Sequence, residues 1–129
     1  MATYEFSVGV EPEFLPDQSS PEDRVYSFAY TVTITNTGTV AAQLIARHWI
    51  ICDAGGHTEE VKGLGVVGQQ PLLKPGESFQ YSSGSRLRTA TGTMHGSYFC
   101  VAEDGARFEA PIGLFVLEAS GAGSNRVLH

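Results

Sequence analysis

Between Tyr26 and Asn36 the chain alternates strictly. Tyr26, Phe28, Tyr30, Val32 and Ile34 fall on one face, with Ser27, Ala29, Thr31, Thr33 and Thr35 on the other. A period of two in aromatic and β-branched residues predicts a half-buried strand, and Asn36-Thr37-Gly38 ends it. From Ala42 to Asp53 both alternating sets are largely apolar: Leu44, Ala46, His48, Ile50 and Cys52 oppose Ile45, Arg47, Trp49 and Ile51. That pattern predicts a strand central in its sheet, turned by Ala54-Gly55-Gly56. Shorter stretches predict further strands at Tyr4–Val10, Thr58–Lys62, Glu77–Ser83 (Phe79 and Tyr81 inward), Met94–Glu103, Arg107–Glu109 and Ile112–Leu117. Asp104-Gly105 reads as a short hairpin turn with both central residues at positive φ. The proline-rich segment Glu11–Arg24 is predicted to be a loop.

Seven to eight short strands, with no helix-length periodic segment, predict an all-β sandwich of two sheets. Trp49 precedes Cys52, whereas an immunoglobulin domain proper places its tryptophan after the first cysteine, so the fibronectin type III-like variant fits better. One domain over residues 1–118 is expected, with the Gly/Ser-rich stretch 119–129 as a flexible tail. At 129 residues such a domain buries about two-thirds of its unfolded surface and needs no metal or disulfide staple.

Charge narrows the function. The formal net charge of −6 argues against a nucleic-acid polymer as partner, because a phosphate backbone demands a basic face. The distribution is uneven. Residues 1–23 hold six acids and no base, whereas residues 61–102 hold Lys62, Lys74, Arg86 and Arg88 against Glu77, a local net of +3. No run of about 18 apolar residues suggests a membrane span. The opening MATYEFSVGV lacks a basic, then apolar, export signal, so a cytoplasmic location is expected. Cys52 and Cys100 are then expected as reduced, structural thiols.

Groups suited to catalysis do not converge. His48, His57, His95 and His129 lack metal-pair spacing, and no nucleophile elbow occurs. The acids Glu11, Glu13, Asp17, Glu22 and Asp23 match no cation cage. His48, on an apolar strand face, reads as a hydrogen-bonded structural histidine. No catalytic residue, metal or cofactor is expected. Gly63-Leu64-Gly65-Val66-Val67-Gly68 has the dinucleotide-binding spacing, but Pro71 and Pro75 follow and forbid the helix that motif must open. Two readings of the segment remain: a bend between strands, or a nest of backbone N–H groups beside Lys62, with Arg86 and Arg88, that holds pyrophosphate or a nucleotide.

The string GLGVVGQQPLLKPGESFQYSSGSRLRTATGTMHGSY over residues 63–98 resembles the signature of the ApaG family. Arg47-His48-Trp49-Ile50 and Glu103-Asp104-Gly105 fit the same pattern, so the resemblance runs from about Tyr4 to Leu117. Cys100 departs from it, standing where members often carry methionine. The resemblance implies a fibronectin type III-like sandwich, alone in bacteria and appended as a module to larger eukaryotic proteins. These include an F-box protein and a polymerase-delta-interacting protein. It also implies a link to cobalt and magnesium resistance, a gene neighbouring that of a diadenosine tetraphosphate hydrolase, and a suggested pyrophosphate role for the glycine segment. It implies no catalytic activity. Together, residues and resemblance lead to a binding module expected to engage a protein partner. The second expectation is a small anion bound by Lys62, Gly63, Gly65, Gly68, Arg86 and Arg88. A second copy of the chain could dock through an open sheet edge.

Overall fold

The computed structural model describes residues 1–119. Eight strands form two antiparallel sheets packed face to face. The smaller sheet is ordered β1-β2-β6, from β1 (Phe6–Phe14), β2 (Tyr26–Asn36) and β6 (Ser78–Leu87). The larger is ordered β4-β3-β7-β8, from β3 (Ala42–Asp53), β4 (Thr58–Leu64), β7 (Thr91–Ala102) and β8 (Arg107–Glu118). A two-residue strand, β5 (Leu72–Leu73), also pairs with β3.

The alternation in β2 becomes the wall of the core: Phe28, Tyr30, Val32 and Ile34 are buried while Thr31, Thr33 and Thr35 face outward. Across the sandwich Trp49 lies 5.4 Å from Tyr30, 6.0 Å from Phe115 and 6.4 Å from Tyr98, ring centre to ring centre. Tilted and edge-on contacts of this kind add to the burial of large apolar rings. In the same interior the Tyr81 and Tyr98 hydroxyls share a hydrogen bond of 2.5 Å.

Several expectations need correction. Glu11–Arg24 is not all loop, because β1 continues through Pro12 to Phe14 with Pro12 opposite Tyr30. The strand tolerates proline because β1 is an edge, where a missing N–H breaks no ladder. The rest of the segment folds into two 3-10 turns, Pro16–Gln18 and Pro21–Asp23, each opened by proline. The segments at 107–109 and 112–117 are one strand, bent by a register shift opposite Met94 and Gly96. The hairpin at 102–106 has three loop residues, and only Gly105 takes a positive φ, of 90°. Asp104 instead accepts the Ala106 N–H and the Tyr4 hydroxyl, at 3.0 and 2.6 Å. Ala119 is docked by its N–H on Ala90 O, and the tail expected from there onward lies outside the described residues.

The most consequential correction is in β3. Pairing jumps from Leu44–Cys100 to Ala46–Phe99, leaving Ile45 as a bulge. An extra residue reverses the facing of all that follow, so Leu44 and Trp49 are both buried despite opposite parity. Arg47 thereby points inward.

Candidate functional site

The inward turn of Arg47 organises the glycine segment. Its Nη1 donates to Leu64 O and Gly65 O, 3.0 Å each. To reach them the guanidinium crosses Gly63, where an added Cβ would lie 2.8 Å from the guanidinium carbon. Gly63 and Leu64 belong to β4, opposite Arg47 and Ala46. Beyond them the chain makes a tight hairpin: Val66 N–H donates to Gln69 O and Gln69 N–H to Val66 O, at 2.8 and 2.9 Å. The two central residues, Val67 and Gly68, have φ of 42° and 81°, as a type I′ turn requires. Gly65, at φ 67°, donates its N–H to the bulged Ile45 O at 2.8 Å. The Gln70 side chain donates to the same oxygen at 2.9 Å. Each glycine in the motif thus has a structural role, giving passage to Arg47 at 63 and left-handed backbone at 65 and 68.

This hydrogen bonding bears on the anion expectation. The amides of Gly65, Val66 and Gln69 are engaged within the chain. Lys62 and Gly63 border one groove, while Arg86 and Arg88 line another near the start of β4, with Asp53, His57, Glu59 and Glu60. The structure therefore does not bring the six residues Lys62, Gly63, Gly65, Gly68, Arg86 and Arg88 together.

What it does assemble is an apolar surface on the outer face of the larger sheet. Ala46, Leu64 and Phe99 stand abreast on neighbouring strands, as do Gln43, Leu72 and Val101. Leu64 and Leu72 are 74% and 59% exposed, and Val67 at the hairpin tip is 57% exposed. A groove of about 370 Å³ runs between Leu64 and Phe99, bordered by Lys62, His48 and Glu109. His48 Nε2 meets Glu60 Oε2 at 2.5 Å on the same face, which gives the histidine its hydrogen-bonded role. The opposite outer face differs in kind. There Thr31 bonds Ser82, Thr35 bonds Ser78, and Gln80 bonds Thr33, all at 2.7 to 2.9 Å.

The buried thiol and hydroxyls of the interior are muted. Burial pushes the Cys100 thiol up to about 12 and the Tyr81 hydroxyl, despite its bond to Tyr98, also to about 12. Burial raises Tyr98 as well. Among the described residues no three His, Cys, Asp or Glu side chains converge as metal ligands. No described helix is long and apolar enough to cross a membrane. Sequence reasoning did not find Arg47 as the clamp, although a charged side chain between Ile45, Trp49 and Ile51 was the signal that it must find buried partners.

The ApaG domain profile matches residues 16–102, which include the glycine hairpin and the Arg47 clamp. The chain belongs to the ApaG family. It is 69% identical to Protein ApaG of Acidovorax sp. (strain JS42), with both chains covered in full. Protein ApaG of Ralstonia nicotianae is 60% identical over 91% of this chain and 94% of the relative. Among solved structures, the putative ApaA protein of Bordetella pertussis superposes with a TM-score of 0.87 at 56% identity, covering 89% of this chain and 94% of that one. The two-sheet architecture is therefore the ApaG sandwich.

Proposed function

We propose that this ApaG-family chain is a non-catalytic protein-interaction module whose docking surface is the outer face of the larger sheet, around Leu64, Leu72, Phe99 and the groove beside them. One observation carries the reading: the two outer faces of the same sandwich differ in polarity. A free antiparallel sheet presents polar residues to water. The smaller sheet obeys this with its Ser/Thr rows, whereas the larger exposes leucines beside a half-buried Phe99 and Val101. Contiguous apolar surface rimmed by Lys62, Glu60 and Glu109 has the composition of a protein interface, apolar in the middle and charged at its border. On this reading, the cobalt and magnesium resistance attached to the family by resemblance works through a partner.

The test compares two double variants in quantitative affinity capture from cell extract. Leu64→Glu with Leu72→Glu places charges on the apolar face, and Thr31→Glu with Thr33→Glu does so on the polar one. Leu64 and Leu72 lie at the surface, where substitutions shift stability by about 0.5 kcal/mol or less each. Thr31 and Thr33 give up hydrogen bonds to Ser82 and Gln80, so thermal unfolding of both variants checks that the fold persists. A discrete partner retained by wild type and the threonine variant, and lost with the leucine variant, supports the reading. Retention by both variants refutes it.

A further inference from the structure

A sandwich of this kind has open strand edges, and among the described residues those of β1, β4 and β8 are defended. β1 carries Glu11-Pro12-Glu13, β4 carries Glu59, Glu60 and Lys62 in seven residues, and β8 carries Arg107, Glu109 and Pro111 with a bulge. Charges, proline and bulges are the devices that stop one sheet from adding to another. β6 has none of them over most of its length. Its ten residues, Ser-Phe-Gln-Tyr-Ser-Ser-Gly-Ser-Arg-Leu, contain no proline and no charge before Arg86. It pairs on one side only, with β2. Alternate residues of such a strand turn both N–H and C=O outward, so about five residues of β6 offer an unused ladder. The centre, Ser82-Ser83-Gly84-Ser85, is small enough to admit another backbone.

The charges at the ends of this strand state which neighbour fits. Glu77, whose Oε1 accepts the Lys74 N–H at 2.8 Å and keeps its charge, stands immediately before β6, and Arg86 and Arg88 stand at its far end. Among the described residues neither arginine side chain makes an ion pair or hydrogen bond within the chain. A second copy running antiparallel along β6 brings the acidic end of each strand, at Glu77, to the basic end of the other, at Arg86 and Arg88. A parallel neighbour would set like charges together.

We infer that β6 is a self-association edge: two copies join β6 to β6 antiparallel, across a two-fold axis near Ser82, into one continuous six-stranded sheet. The two-fold makes the contact isologous, so it closes at a dimer whose outermost strands are the two defended β1 edges. The contact is separate from the apolar outer face and leaves that face free on both copies.

Sedimentation velocity of the full chain tests this, over concentrations from about 1 μM to 1 mM, the range of a weak strand-to-strand contact. Wild type is expected to pass from monomer to dimer within it. Arg86→Glu with Arg88→Glu raises the midpoint about tenfold by placing like charges across the strands, and adding Glu77→Arg restores it. Thermal unfolding of each variant checks that the fold persists. Hydrogen exchange at high and low concentration should show dimer-dependent slowing in alternate amides of β6. A monomer throughout the range overturns the inference, even if an extended peptide binds the edge. So does a dimer indifferent to both charge changes, or one whose protection falls around Leu64 and Leu72.

Discussion

Gly65 offers the sharpest test of the structural role given to the glycine segment. In Gly65→Ala the new Cβ would lie 2.5 Å from Gln69 O and 3.1 Å from its carbonyl carbon. The backbone there cannot step aside easily. Its N–H is held by Ile45 O and its carbonyl by Arg47. The residue also sits at φ 67°, where an L-side chain costs about 1–2 kcal/mol. Relieving the clash means opening the Val66–Gln69 hairpin, with two hydrogen bonds worth about 1 kcal/mol each. The total is about 3–4 kcal/mol, which for a domain of this size lowers the unfolding midpoint by roughly 10 °C or more. Gly68→Ala meets the same backbone penalty with nothing within 4 Å of its Cβ, so it should cost only about 1 kcal/mol. Gly63→Ala falls between them, because it displaces a flexible guanidinium rather than backbone. Differential scanning calorimetry of the three variants measures the order. If Gly65→Ala stays within about 0.5 kcal/mol of wild type, or if all three cost the same, the glycines do not serve the backbone as described.

Two further outcomes follow from the interior. With Cys100 fully buried and its thiol pushed up to about 12, and Cys52 half-buried on the outer face, a thiol reagent should modify Cys52 in the native protein. Cys100 should react only on unfolding; rapid native labelling of both refutes that burial. The Tyr81–Tyr98 pair predicts loss of stability at high pH. Both hydroxyls titrate higher folded than their ordinary value near 10. Their contribution is therefore complete below pH 10 and is lost as pH rises from there toward 12. For Tyr81 alone this is on the order of 2 kcal/mol. Denaturant midpoints taken from pH 8 to 11.5 should fall above pH 10 in wild type and much less steeply in Tyr81→Phe with Tyr98→Phe; parallel curves would contradict the assignment.

Much of the fold was legible because its strands obey local rules. The alternation of Tyr26 to Ile34 is the wall of the core, and the doubly apolar β3 does lie between β4 and β7. The misreadings share one cause: pairing overrides local preference. Pro12 fits a strand only because β1 has no neighbour on one side, and Ile45 slips out of register where the larger sheet bends. The candidate site was visible only in part. Glycine spacing marks a special backbone, yet spacing cannot show that Arg47, sixteen positions before Gly63, passes over it to hold Leu64 and Gly65. Nor could spacing reveal that Arg86 and Arg88, close to the segment in charge pattern, line a different cleft. The contrast between the two outer faces needed the register of both sheets, because the β3 bulge exchanges the faces of every residue after it.

Recognition through the apolar outer face of the larger sheet is tested most directly by site-specific photo-cross-linking in living cells. A photoreactive phenylalanine analogue is introduced at Leu64, at Leu72 or, on the polar face, at Thr33. A discrete heavier adduct is expected from positions 64 and 72 and none from 33. Adducts from Thr33 with none from either leucine would contradict it.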